Sequence, residues 1–405
     1  MTMIRMRFLF FILFLISLIL EIKAQTTYSP YSMIGLGEIE NRDYGRTSGM
    51  ANIGIGVRSF DYLNTSNPAG ISGLDSLRNF IFDMSVAGKQ SYFSGNGKKD
   101  NAFNGNLKRL SFGFRLTSEW GISIGVKPFS DVGYRIYNEE PIDGSSAKKA
   151  VYLEGSGGLY ELFLMNGLKI TDNLSVGVKT KLICGTLKQI ENQSEYYFDK
   201  VSGVAAFHNT FGVQYYKEGL TLGATYGYKQ NTTLINRVLV YDDGGNLVRQ
   251  EKDESIDQFI PATLGVGFSH DSKKITWGMD FQYQSWNGLK SNISSAKIVD
   301  SYKVSTGMGY SLNTDSYFGP RNRIQLQIGA SVSKSYIQIG GKDAYNYAVT
   351  TGCSLPINKG LQQLNFALEY GNSLSAPANY IKESYFMLTV NCTFFEQWFK
   401  RKKLE

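Results

Sequence analysis

From residue 79 to Phe394 the chain repeats one pattern. Trp120, Ile122, Ile124 and Val126 alternate with Gly121, Ser123, Gly125 and Lys127; Ile275, Trp277, Met279 and Phe281 alternate with Thr276, Gly278, Asp280 and Gln282. A period of two places successive side chains on opposite faces of a strand, and here one face is apolar in every repeat. The composition suits strands: Tyr and Phe number 26 and 25 and Gly 43, against only 8 Pro. No stretch after residue 24 approaches the roughly 18 to 20 uninterrupted apolar residues that a membrane-spanning helix needs. A helical membrane protein is excluded, and the fold class is all-β.

The connections narrow this further. Tight polar turns fall at Ser118-Glu119, Asp172-Asn173, Glu218-Gly219, Asp271-Ser272 and 358–360, with a longer one at 313–322. Between them lie polar, Gly- and charge-rich segments at 94–104, 139–149, 190–200, 242–246, 287–296, 340–343 and 373–382. The two kinds alternate strictly. Six and seven connections join fourteen strands, an even number, with both chain ends on the short-turn side. Outer-membrane barrels have short periplasmic turns, longer external loops and alternating segments of roughly 10 residues. The pattern therefore predicts a 14-stranded antiparallel transmembrane β-barrel over residues 79–395, in an outer membrane of the Gram-negative type, with both barrel termini periplasmic. A secreted adhesin or multi-sandwich protein would also alternate, but it leaves unexplained the aromatic residues near strand ends, which read as interface girdles. It also leaves unexplained the closing segment, where Phe386, Leu388, Val390, Cys392 and Phe394 alternate with Met387, Thr389, Asn391 and Thr393.

Three further segments flank or precede the barrel. Arg5 and Arg7 precede an apolar run from Phe8 to Leu20, so residues 1–24 read as a signal peptide cleaved before Gln25; an uncleaved anchor is the rival, against which the run is short. Residues 25–78 are irregular and Gly-rich, with Gly35, Gly37, Gly45, Gly49, Gly54 and Gly56 before the Asn67-Pro68-Ala69 turn. Such a segment follows a confined path and is expected as a plug, or hatch, in the lumen rather than a disordered tail. Residues 396–405 form a basic aromatic tail. In it Trp398 and Phe399 precede Lys400, Arg401, Lys402 and Lys403, either as a solvated end or docked at a membrane surface or partner protein.

The Gly-rich prelude, Asn67-Pro68-Ala69 and the strand count together resemble the FadL-like long-chain fatty acid transporters. The resemblance extends to Pro261, Gly265 and Gly267 and then Trp277, ending in Ser285-Trp286. It covers essentially the whole mature chain, although eleven residues follow Phe394 where the family usually ends. It implies a hatch in the lumen and a wall that opens sideways to release hydrophobic ligands into the membrane. Asn67, Pro68 and Ala69 would latch the hatch beside an opening at Pro128 to Gly133. From the residues alone, Pro128 removes a ladder donor from a strand interior, giving either that kink or an ordinary bulge. Asn67-Pro68 is a turn by mechanism, which alone would make it a simple chain reversal.

Enzyme chemistry finds little footing. Two histidines, His208 and His270, stand at no metal or Ser-His spacing, and the Gly-x-Gly pairs lack the strand-to-helix context of a phosphate loop. Cys184, Cys353 and Cys392 have no paired spacing. Neither a metal nor a cofactor is expected. Without the signal, 39 basic and 34 acidic residues are scattered along the chain, which is no nucleic-acid footprint. Two readings remain: passive uptake of hydrophobic, fatty-acid-like small molecules, with outer-membrane lipid and ligand as partners, or a non-transporting subunit scaffolding an outer-membrane secretion or assembly complex.

Overall fold

The computed structural model describes residues 29–75, 80–95, 97–141, 148–193, 196–252, 256–272, 274–289, 296–312, 324–357, 362–375 and 381–396. The signal segment and the tail from Trp398 to Lys403 lie outside these.

Fourteen antiparallel strands close into one barrel. The first four are Phe80–Gly95, Lys98–Arg115, Trp120–Pro141 and Lys148–Lys169, followed by Leu174–Gln193 and Tyr196–Lys217. The seventh is interrupted, Leu220–Gly227 then Gln230–Asp242, and the eighth runs Leu247–Lys252, Ile256–Ile260 and Ala262–Asp271, broken at Pro261. Ile275–Ser285 is the ninth, Ala296–Ile298 with Ser301–Ser311 the tenth, then Gln325–Ile339, Lys342–Ile357, Gln362–Ser375 and Lys382–Glu396. The last pairs with the first from Lys382 opposite Ser94 to Glu396 opposite Phe80, which seals the sheet. Among the described residues no helix is long and apolar enough to cross a membrane.

The faces follow the alternation. On the closing strand Leu388 is 51% exposed and its neighbours Met387 and Thr389 are 3% exposed. The outward set of each strand is apolar, as a surface against hydrocarbon must be, and the inward set is largely small or polar, with an apolar group around Val132, Leu159 and Ile183. Cys184, Cys353 and Cys392 are half-buried wall residues.

The long connections expected at one end are a different structure. Much of 94–104, 139–149 and 190–200 is strand, and strands three to six are 20 to 22 residues long. Twenty-two residues extend roughly 70 Å, about twice what a tilted spanning strand of 9–11 residues requires. The backbone there stays paired strand to strand, so the hairpins extend past the apolar belt instead of dissolving into loops. Tyr137 and Tyr152 face each other across one such extension with ring centroids 5.0 Å apart.

Residues 29–75 lie inside the barrel. Three short 3-10 turns, Pro30–Met33, Arg46–Met50 and Pro68–Gly73, and the two-residue strand Glu38–Ile39 are their only regular elements. The interior is a hatch packed against a wall, not an empty pore.

Candidate functional site

The hatch sits where the wall carries glycine. A Cβ on Gly212 would come within 2.2 Å of Asn67 Oδ1, and one on Gly177 within 2.5 Å of the Pro68 carbonyl carbon. Gly223 lies equally close to the Ile55 carbonyl, and Gly329 to the Ala51 nitrogen. These inward glycines let the hatch backbone lie directly on the wall, leaving its polar groups to be satisfied by wall atoms. Asp280 supplies two of them, accepting from the Gly54 and Ile55 N–H groups at 2.6 and 2.9 Å. Thr350 accepts from the Ala51 N–H at 3.0 Å and donates to the Gly49 carbonyl at 2.9 Å.

The Asn67 side chain joins hatch and wall. Its amide donates to the Ile55 carbonyl at 3.0 Å and to the Val213 carbonyl of the sixth strand at 3.1 Å, while Oδ1 accepts from the Ala69 N–H at 3.1 Å. Pro68 and Ala69 pack against Gly177 of the fifth strand. The expectation that this turn stands beside Pro128 to Gly133 is corrected here: the turn rests on strands four to seven, where Gly167, Gly177, Gly212 and Gly223 receive it. A turn needs close backbone approach, and the glycines that permit it are there.

The wall itself is unzipped at the third strand. The second strand pairs with it only from Leu110 opposite Val126 to Arg115 opposite Gly121. Beyond Val126 the third strand continues to Pro141 with the fourth strand as its neighbour on one side. The ladder with the fourth strand shifts between Pro128 and Ser130, leaving Phe129 as a bulged residue. A one-residue bulge exchanges the two faces, so the buried side chains change from odd-numbered positions such as Ser123 to even-numbered Ser130, Val132 and Tyr134. Pro128, which has no N–H for a ladder, lies at the start of the open stretch, and Gly133 lies within it.

The beginning of the hatch covers this open edge. Glu38 and Ile39 pair antiparallel with Asp131 and Ser130. The Glu40 N–H donates to the Phe129 carbonyl at 2.9 Å and the Ser29 N–H to the Gly133 carbonyl at 2.7 Å, while the Ser32 hydroxyl donates to that same carbonyl at 3.0 Å. Lys108, just past the last pair on the second strand, reaches across: its Nζ lies 3.0 Å from Glu40 and 3.5 Å from Asp131. Burial works to raise the Glu40 carboxyl, but the Lys108 ammonium and the Arg42 guanidinium outweigh it and hold it well below the usual carboxylate range.

Two environments meet at this edge. Toward the long hairpins, Ile34 and Leu36 of the hatch pack into an apolar cluster with Val132, Leu159, Ile260 and Trp286. Tyr336 packs against it, its single hydroxyl hydrogen shared between the carbonyls of Ile34, at 3.0 Å, and Gly37. Toward the short turns the lumen is ionic. Arg109, 0% exposed, bonds Asp43 of the hatch at 2.7 Å and Asp83 of the first strand at 2.5 Å, and Arg42 bonds Glu369 at 2.6 Å. A cavity of about 230 Å³ between hatch and strands nine to fourteen is lined largely by Ser, Asn, Gln and Tyr.

The remaining expected positions are dispersed. Pro261 breaks the eighth strand; Gly265 and Gly267 face the hatch at Ile55 and Gly56; Trp277 is outward and meets the Phe268 ring edge-on at 5.3 Å. Trp286, just past the end of the ninth strand, is fully buried in the lumen, 4.9 Å from the Tyr336 ring, with Nε1 donating to Gln284 at 3.0 Å. Phe386, Leu388, Val390 and Phe394 face outward on the closing strand. Unforeseen from sequence were Lys108 and Glu40 at the gap and the glycine seat. The one available signal was glycine recurring at inward positions on strand after strand.

A model of the BamG family matches residues 3–405. No curated protein sequence matches the chain. Among solved structures the Ralstonia pickettii toluene transporter TbuX is similar at 15% identity and a TM-score of 0.60, over 87% of this chain and 98% of that one. A Pseudomonas aeruginosa FadL homologue gives 13% identity and 0.59, over 89% and 99%. The Pseudomonas putida toluene transporter TodX gives 14% and 0.58, over 89% and 100%. The resemblance to FadL-like barrels thus holds in the fold, under a family model of another name.

Proposed function

The chain belongs to the BamG family, and from the open wall edge we propose that it forms an outer-membrane channel through which hydrophobic small molecules pass passively and leave sideways. The observation that carries this reading is the unzipped stretch of the third strand beyond Val126, covered by Ser29 to Glu40 of the hatch. Unsatisfied backbone at membrane depth is tolerated only where protein or a cavity covers it, so a removable cover is a gate. The gate segment packs on an apolar cluster of lumen side chains, a lining that would suit a hydrophobic ligand once the segment moves, and the neighbours of the same fold include structures titled as toluene transporters. Asn67, Pro68 and Ala69 would hold the rest of the hatch while the gate segment moves. In this reading the short turns and both barrel ends face the periplasm, the long hairpins face outward, and the tail from Trp398 lies on the periplasmic side.

A second reading, a barrel subunit of an outer-membrane secretion or assembly complex, is favoured by one observation. The hatch is bonded to much of the wall by ion pairs and by backbone bonds to Asp280 and Thr350, and the largest cavities described are lined mainly by polar groups. Purification in mild detergent followed by native mass spectrometry separates the two. Co-purifying lipid or apolar ligand without a fixed protein partner supports the channel; a stoichiometric protein partner and an empty lumen support the subunit.

A further inference from the structure

Beside the gate, three lysines converge on one carboxylate. Lys179 Nζ is 2.7 Å from Glu161 Oε1, Lys127 is 3.7 Å from the same oxygen, and Lys181 is 3.8 Å from Oε2. All four side chains are at most 13% exposed. Their other contacts are weak: Lys179 lies over the Phe163 ring at 4.7 Å and makes a long bond to the Thr65 carbonyl at 3.4 Å, and Lys127 makes one to the Arg42 carbonyl at 3.5 Å. Two more acids line the cavity at longer range: Asp43, which shares Arg109 with Asp83, and Glu40, which bonds Lys108 and Arg42. Within ion-pair distance the three ammoniums thus have one carboxylate among them, an arrangement that burial disfavours.

His208, 0% exposed, lines the same cavity of about 140 Å³. Its Nε2 lies 2.8 Å from the Tyr228 carbonyl. A carbonyl only accepts, so Nε2 carries the proton and Nδ1, buried and without a partner, is a free acceptor. A carboxylate has no hydrogen to give it. Hydrogen phosphate does: it brings two negative charges for the surplus lysines and one P–O–H for Nδ1. Phe129, Ile260 and Trp286 line the cavity's other side.

We propose that the cavity between Lys127, Lys179, Lys181 and His208 binds a hydrogen-phosphate group, free or as the head of a phosphomonoester with a short apolar chain. This goes beyond the channel reading and does not need conduction, since a barrel that passes nothing would still bind phosphate.

The test is calorimetric titration of the purified full-length barrel in a neutral detergent with inorganic phosphate, hexyl phosphate, hexanoate and hexanol. Wild type should bind both phosphates. Tighter binding of hexyl phosphate assigns the site to a phosphomonoester amphiphile, and equal binding assigns it to free phosphate. Lys181→Gln should weaken binding at least tenfold, Glu161→Gln should tighten it, and Lys303→Gln, in the lumen but outside this cavity, should leave it unchanged. Retained heat-modifiable migration on gels shows that each variant is folded. Absence of phosphate binding by wild type, hexanoate binding as tight as hexyl phosphate, or equal binding by Lys181→Gln and Glu161→Gln would each overturn the proposal.

Discussion

Glu38 of the hatch stands opposite Asp131 of the third strand, in the antiparallel register that a neighbouring wall strand would otherwise occupy. The second strand, whose place this is, ends its pairing with the third at Leu110 and Val126. A segment of the plug thus serves locally as wall, so hatch position and wall closure are one variable.

Lys108 fastens that cover. Lys108→Gln leaves Glu40 with Arg42 as its remaining cation and should cost about 1–3 kcal/mol of local stability, seen as faster hydrogen exchange across residues 36–42 and little change at the closing strand. The Glu40 carboxyl is depressed in the folded state, so its contribution is complete above the ordinary value of about 4.5 and is lost only as pH falls below the usual carboxylate range. Exchange protection should therefore be the same at pH 8 as at pH 5; loss between them would contradict the assignment.

The glycine seat makes a position-specific prediction. Gly212→Val drives its side chain into Asn67, whereas a Cβ on Gly203 of the same strand meets nothing nearer than 4.0 Å. Overpacking of this kind costs about 1–3 kcal/mol or more. Gly212→Val should leave a heat-modifiable barrel whose hatch is cut by added protease, and Gly203→Val should leave the hatch resistant.

Register is tested on the thirteenth strand. Leu368 is 46% exposed and outward, so arginine there should cost about 2–4 kcal/mol if it lies near the bilayer midplane. Ala367 was the natural inward comparison from the sequence, but it is buried, with no room for arginine. Ser333→Arg, which opens into the polar cavity, should be the tolerated substitution in denaturant titrations of the refolded barrel.

Topology is tested by tags. Insertions at Gly95 or Gly244, on the long-hairpin end, should be reached by antibody on whole cells, and insertions at Asp172 or Glu218 should not. Reversed accessibility would invert the proposed orientation.

What could be read from the sequence was what a period of two dictates. The outward run Phe386, Leu388, Val390 and Phe394, the turns at Asp172 and Glu218, and the count of fourteen each depend on neighbours in the chain. Pro128 marked the shift in the ladder because a missing N–H is a local fact. The cover over it was misplaced because pairing between Glu38 and Asp131 spans more than ninety residues and leaves no periodic trace in a two-residue strand. The Asn67 turn was put beside Pro128 for the same reason: its seat is defined by glycines across the lumen, and Gly177, Gly212 and Gly223 each read locally as small residues in a strand.

The central claim is that the hatch segment at Glu38 closes the wall and must leave for ligand to pass. In a background with Cys184, Cys353 and Cys392 replaced by alanine, cysteines at positions 38 and 131 form a directly opposed pair suited to a disulfide. Uptake of a hydrophobic small-molecule probe by cells carrying this variant should stop when the disulfide is formed and return on reduction, with barrel abundance unchanged. Uptake that is equal in the oxidised and reduced states would show that the gap at the third strand is not the route.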